Sequence, residues 1–185
     1  VGGRWMRERE VGTLLTRLPE GWSAFRSAAA ASGAPATDPD HLVVGPGGVF
    51  VVRTRRHHRA RLTVDDRSLV ADGVRQPSLR DVELQASRVR GLLFRAGVET
   101  PVLPVTVVVG ARELRMRAMP ARAAVLRSEN LLRWLTHRPA CVDTATVARA
   151  VALFADPASW QPLTKRDDER VFPLRPVRRW SASSV

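Results

Sequence analysis

Apolar positions recur along this chain with two periods, and the changes between them mark out its elements. From residue 4 to 18 the spacing is helical: Val11, Leu14, Leu15 and Leu18 fall on one stripe. Pro19, Glu20 and Gly21 end that helix. "WSAFRSA" (22–28) reads as a strand, and "SGAPATDPD" (32–40) as a loop by its Gly, Pro, Ser and Asp content. "DPDHLVVGPGGVFVVRTRR" (38–56) then reads as two apolar strands joined by a tight turn at Pro46 and Gly47. Pairing about that turn sets Val44 opposite Val49, Leu42 opposite Val51, and Asp40 opposite Arg53. Side chains alternate faces on a strand, so Asp40, Arg53 and Arg55 share one face. A Pro-Gly loop is not the favoured two-residue hairpin, which leaves a one-residue slip open, and such a slip would reverse every face.

Downstream, "ARLTVDD" (60–66) predicts a third strand and "RSLVADG" (67–73) a short fourth. Apolar residues at 79, 82, 86, 89, 93 and 96 predict a helix, with Ser78 as its N-cap, Asp81 at the capping-box position and Gly97 closing it. "VLPVTVVVG" (102–110) is almost wholly apolar and β-branched, as a strand covered on both faces requires. "AAVLRS" (123–128) is a further strand, followed by helices at 129–137 and 144–155, the second opened by Asp143 or Thr144. This order predicts an α/β domain with a mixed central β-sheet flanked by helices. The length of 185 residues accommodates one such domain, placed at 1–161, and a basic Pro/Arg/Ser-rich tail at 162–185 that is disordered in part.

Charge adds a functional constraint. Thirty Lys and Arg face eighteen Asp and Glu for a net charge of +12, and Lys165 is the only lysine. Arginine forks match phosphate bidentately, so the balance points to a polyanion, nucleic acid ahead of anionic lipid; of the nucleic acids, DNA is expected ahead of RNA. The bland counterpart is that Ala, Arg, Val and Pro without tyrosine is also the output of a GC-rich bacterial genome. No apolar run approaches the roughly 20 residues that span a bilayer, and "VGGRWMRERE" lacks a signal-peptide core, which predicts a cytoplasmic protein with no membrane contact. Cys141 stands alone, so no internal disulfide forms, and it reads as a buried small apolar residue. "VGPGGV" lacks the Lys-Ser/Thr end of a nucleotide loop, and no cysteine–histidine cluster of zinc type is present.

"REREVGTLLTRLPEGW", "DHLVVGPGGVFVVRTRR", "LQASRVRGLL" and "SENLLRWLTHRP", in that order and spacing, resemble the nuclease-related domain, NERD, over residues 4 to 160. The resemblance implies a restriction-endonuclease-like, PD-(D/E)xK core. It also implies an active site made of an acid before the first hairpin strand, an acid-x-lysine on the second, a glutamate on the first helix and a glutamine on the helix after the sheet. Asp40 matches the first acid, Glu8 the helix glutamate and Gln85 the glutamine, while the acid-x-lysine has become Arg53-Thr54-Arg55. Nucleases of this type hold Mg²⁺ or Mn²⁺ on carboxylate oxygens. Only Asp40 and Glu8 remain as strong ligands at the matching positions, and Arg53 is expected to pair with Asp40 and repel a metal. Arg55 keeps the charge of the lysine but does not release a proton near neutral pH. Asp38, Asp65, Asp66, and one of His57 and His58 are the residues that could substitute for the lost groups.

Three functions compete. The first is a degenerate nuclease fold, a pseudoenzyme that binds nucleic acid through Arg53, Arg55, Arg56, Arg59 and Arg61 and needs no cofactor. The second is a Mg²⁺- or Mn²⁺-dependent nuclease with an altered motif. The third is a protein-interaction domain using the tail "PLRPVRRW" and Trp180, with Trp134 and Trp160 serving the core.

Overall fold

The computed structural model describes residues 11–26, 40–156 and 159. A helical segment α1 (11–15) precedes strands β1 (Ser23–Arg26), β2 (His41–Gly45), β3 (Gly48–Arg56), β4 (Arg61–Val64), β5 (Leu69–Ala71) and β6 (Val74–Gln76). Helix α2 (Ser78–Arg95) follows, then β7 (Val102–Val109), β8 (Glu113–Met116), β9 (Ala124–Arg127) and helices α3 (Leu131–Thr136) and α4 (Thr144–Ala155).

The mixed central sheet expected from the sequence is present, in the order β1-β2-β3-β7-β9. β1, β2 and β3 are antiparallel neighbours, while β7 runs parallel to β3 and β9 parallel to β7. The sequence did not announce the second sheet, β6-β5-β4-β8, or the strands β6 and β8 within it. The segment read as a third core strand belongs there. β3 and β7 leave the first sheet at the same level, where Arg59 (φ 55°) and Gly110 (φ 73°) both adopt left-handed backbone. The bonds Arg59 N–H to Gly110 O and Arg112 N–H to Ala60 O carry the pair across the bend, after which β4 and β8 continue in parallel.

Two apolar layers sandwich the central sheet because its strands are apolar on both faces. Leu42, Val44, Val49 and Val51 pack with Val82, Ala86, Val89 and Leu93 of α2. Val43, Phe50 and Val52 pack on the other side with Val11, Leu15, Leu131 and Leu135. Phe50 is fully buried between Trp22, stacked at 5.9 Å, and Trp134, edge-on at 5.7 Å. Trp134 is thus a core residue, as its helical position implied.

That packing decides the hairpin register. Val44 pairs with Val49, Leu42 with Val51, and Gly45 with Gly48 around the two-residue turn. A slip by one would move Phe50 out of its aromatic clasp, forfeiting about 1.5–3 kcal/mol of apolar burial. The turn needs glycine at position 48: its φ is +117°, and a Cβ there would lie 2.7 Å from Pro101 O. One step beyond the last paired residues, Asp40 stands opposite Arg53.

The helix cap was misread. α2 begins after Pro77 with no side-chain capping bond, and the buried Ser78 Oγ has no hydrogen-bond partner. Asp143 does cap α4, accepting from Thr146 N–H at 2.7 Å. Cys141 is exposed, contrary to its reading as a core residue; its Sγ lies 3.6 Å from Gly47 O, where the 141–142 loop crosses the hairpin turn. Among the described residues, no helix is long and apolar enough to cross a membrane.

Candidate functional site

The face of β3 that meets α2 changes character along its length. Val49 and Val51 are apolar, and the next two positions on that face are Arg53 and Arg55. The helix changes with it: Val82, Ala86 and Val89 face the apolar part, while Asp81 and Gln85 face the arginines' end. The result is a polar cluster at the carboxyl end of β3, built on two rigid elements.

Arg53 is 4% exposed, Arg55 28% and Asp81 33%. A single carboxylate oxygen, Asp81 Oδ2, lies 3.7 Å from Arg53 Nη2 and 3.5 Å from Arg55 Nη2. Arg55 Nη1 also donates to its neighbour's carbonyl, Thr54 O, at 3.2 Å. Burial foremost, and then the adjacent Arg53 charge, lowers the Arg55 pKa, while Asp40 and Asp81 raise it. The guanidinium remains protonated at neutral pH regardless. Gln85, 2% exposed, lies one turn beyond Asp81, and Thr106, fully buried, is the β7 partner of Arg53. The Thr106 Oγ1 has no hydrogen-bond partner.

Asp40 makes a backbone contact that the sequence did not predict. Its Oδ2 accepts the backbone N–H of Thr54 at 2.5 Å, closing the open end of the hairpin. Arg53 and Arg55 each form an ion pair with Asp81. The sequence assigned Asp81 to a cap because it occupies the fourth position of an S-x-x-D. Its distance from Gln85, one helical turn, was the signal that it faces the same way as that residue.

The other predicted residues are dispersed. Glu8 and Asp38 lie outside the described residues, as do Trp160, Trp180 and the 162–185 tail. Asp65 and Asp66 occupy the β4–β5 turn in the second sheet, where Asp66 pairs with Arg67 at 3.7 Å. His57 is half-buried; its backbone N–H donates to Val109 O, its ring Nε2 has no partner, and burial followed by the Arg55 charge lowers its pKa. His58 is exposed.

The five arginines proposed from sequence sit on different parts of the fold. Arg53 and Arg55 face α2, while Arg56 alternates to the other side of β3 beside Gly110. Arg59 lies in the bend, and Arg61, 65% exposed, pairs with Glu113 at 4.0 Å on the outer face of the second sheet. That face carries two arginines the sequence reading missed. Thr63 pairs with both Arg115 and Val70, and Val70 pairs with Arg75, which lines up two arginines across four strands. Among the described residues, no group of three or more His, Cys, Asp or Glu side chains could hold a metal ion.

A family model described as nuclease-related domain matches residues 4–109, more than half of the chain. The matched region runs to the end of β7 and contains every residue of the polar cluster. No curated protein and no solved structure matches the chain.

Proposed function

The chain belongs to the nuclease-related domain family, and from that premise we propose that it binds nucleic acid through phosphate contacts at Arg53 and Arg55 and does not cleave it. One observation carries this reading: two guanidiniums, held by β3 against a single shared carboxylate, occupy the positions that match the family's acid-x-lysine. Arginine forks suit phosphate oxygens, and contacts of that kind read the backbone and not the sequence. Arg56, Arg59 and Arg61 and the outer face of the second sheet extend the positive surface for a long polyanion.

Among the described residues, the donors do not suit a divalent metal. Asp40 Oδ2 is committed to the Thr54 amide, and Asp81 Oδ2 to two cations. A divalent ion about 4 Å from one guanidinium is repelled by about 2 kcal/mol in a water-like medium and about 8 kcal/mol at an effective dielectric constant of 20. Two arginines double that.

The test pairs binding with cleavage. Affinity for duplex and single-stranded DNA and for RNA is measured from about 50 mM salt upward. Binding should weaken with a log–log slope of about −0.9 per duplex phosphate neutralised. Undetectable binding at the lowest salt refutes the reading. So does Mn²⁺-dependent cleavage that is lost in Asp40→Ala; cleavage that persists in that variant marks a contaminant.

A further inference from the structure

The Asp81 carboxylate sits where a phosphate between the two arginines would sit. It is a monoanion, joined to both through one oxygen at 3.5 and 3.7 Å, longer than the roughly 2.7–2.9 Å of a charge-assisted hydrogen bond. It is therefore held by its charge and by a long, weak hydrogen bond to Arg55. It is also a third exposed, on the first turn of α2, so it can turn toward solvent without moving the helix. Beneath it, Arg53 is 4% exposed and cannot follow. The Thr106 hydroxyl, on the same sheet face and fully buried, has no partner.

We propose that Asp81 is a built-in competitor for the phosphodiester that Arg53 and Arg55 take, so that nucleic acid seats at this site only by displacing its carboxylate. This rests on the nucleic-acid reading above and assigns its regulation to one residue. Arg55 supplies the exposed fork and Arg53 supplies charge from below. Asp81 lowers affinity for single, weakly placed phosphates and leaves a polymer, whose neighbouring phosphates are gripped elsewhere, able to compete.

Asp81→Asn keeps the shape and removes the charge. Affinity for a duplex oligonucleotide of arbitrary sequence should rise on the order of fivefold at low salt, as expected for removing one repulsive charge near a phosphate in a partly exposed site. The salt slope should steepen by up to about 0.9. Asp81→Glu keeps the charge and should stay near the parent affinity, while Arg55→Ala should weaken binding. If Asp81→Asn leaves affinity unchanged while Arg55→Ala weakens it, the competitor role is overturned and the nucleic-acid reading stands. If neither variant changes binding, the arginine site is not the interface and both fall. Should Asp81→Asn not fold, the full unsubstituted chain decides: on titration with the same duplex, the Arg55 guanidinium Nε–H NMR signal should move as Asp81 leaves, and a signal unchanged at saturation overturns the proposal.

Discussion

Asp40→Ala separates a structural carboxylate from a metal ligand. In the structure Asp40 Oδ2 accepts the part-buried Thr54 N–H, tying the residue before β2 to β3. Removing the carboxylate deletes one charge-assisted hydrogen bond, worth about 1.5–3 kcal/mol, and leaves an amide donor short of its partner. The expected loss is about 2 kcal/mol, because Thr54 itself is 8% exposed and water reaches the amide poorly. For a chain of 185 residues that lowers the thermal midpoint by about 4–8 °C. Asp40→Asn still offers an oxygen to the same N–H and should lose about half as much. Thermal or urea unfolding, with and without Mn²⁺, reads both effects. A ligand role predicts the reverse pattern. Metal at a hundred times its Kd would stabilise the parent chain by about 2.7 kcal/mol, and Asp40→Ala would abolish that gain. A parent chain stabilised by Mn²⁺, together with a metal-free loss below about 0.5 kcal/mol in Asp40→Ala, would refute the reasoning.

The remaining predictions address the other parts of the fold and site. Arg55→Ala should flatten the salt dependence of duplex binding by about 0.9 in slope. Arg61→Ala should change it less, because Arg61 already pairs with Glu113; equal effects in competition titrations would mean that the second sheet contributes as much to the interface as the Arg53–Arg55 site. His57 has its pKa lowered from 6.5 in the folded state by burial and by Arg55. The unfolded chain therefore binds its proton first as pH falls, so the stability associated with neutral His57 is present above about pH 6.5 and lost below it as pH falls through the folded value. Urea unfolding at pH 7.5 and 5 should accordingly show a smaller acid loss in His57→Gln than in the parent chain. Gly48→Ala combines a φ of +117° with a Cβ only 2.7 Å from Pro101 O. It should cost about 2–4 kcal/mol in chemical denaturation, whereas Gly73→Ala, with positive φ but open space, should cost less.

The hairpin shows how far one-dimensional pattern reaches. Two apolar runs in 41–52 and the Pro46–Gly47 turn were enough to name the pairs Val44–Val49 and Leu42–Val51, and hence to set Asp40 opposite Arg53. The slip left open by the turn type was closed by Phe50, whose place between Trp22 and Trp134 involves residues far apart in the chain. The apolar run at 102–109, the helix at 78–95 and the Asp143 cap were legible for the same local reasons: period, propensity and a side chain bonding its own helix end.

Local pattern determined most of the strands, the main helices, the family and which residues could meet across one hairpin. It did not determine the partner of an ion pair. Asp81 has the spacing of a capping residue, and only the packing of α2 against β3 turned its carboxylate toward Arg53 and Arg55. The sorting of the arginines was likewise tertiary. Arg53 and Arg55 share a face by strand periodicity, but the bend at Arg59 and Gly110 sent Arg61 to a second sheet, where a strand from residues 113–116 lay waiting as its neighbour. Hydrogen bonds between residues fifty apart decide such placements, and no window along the sequence contains both partners.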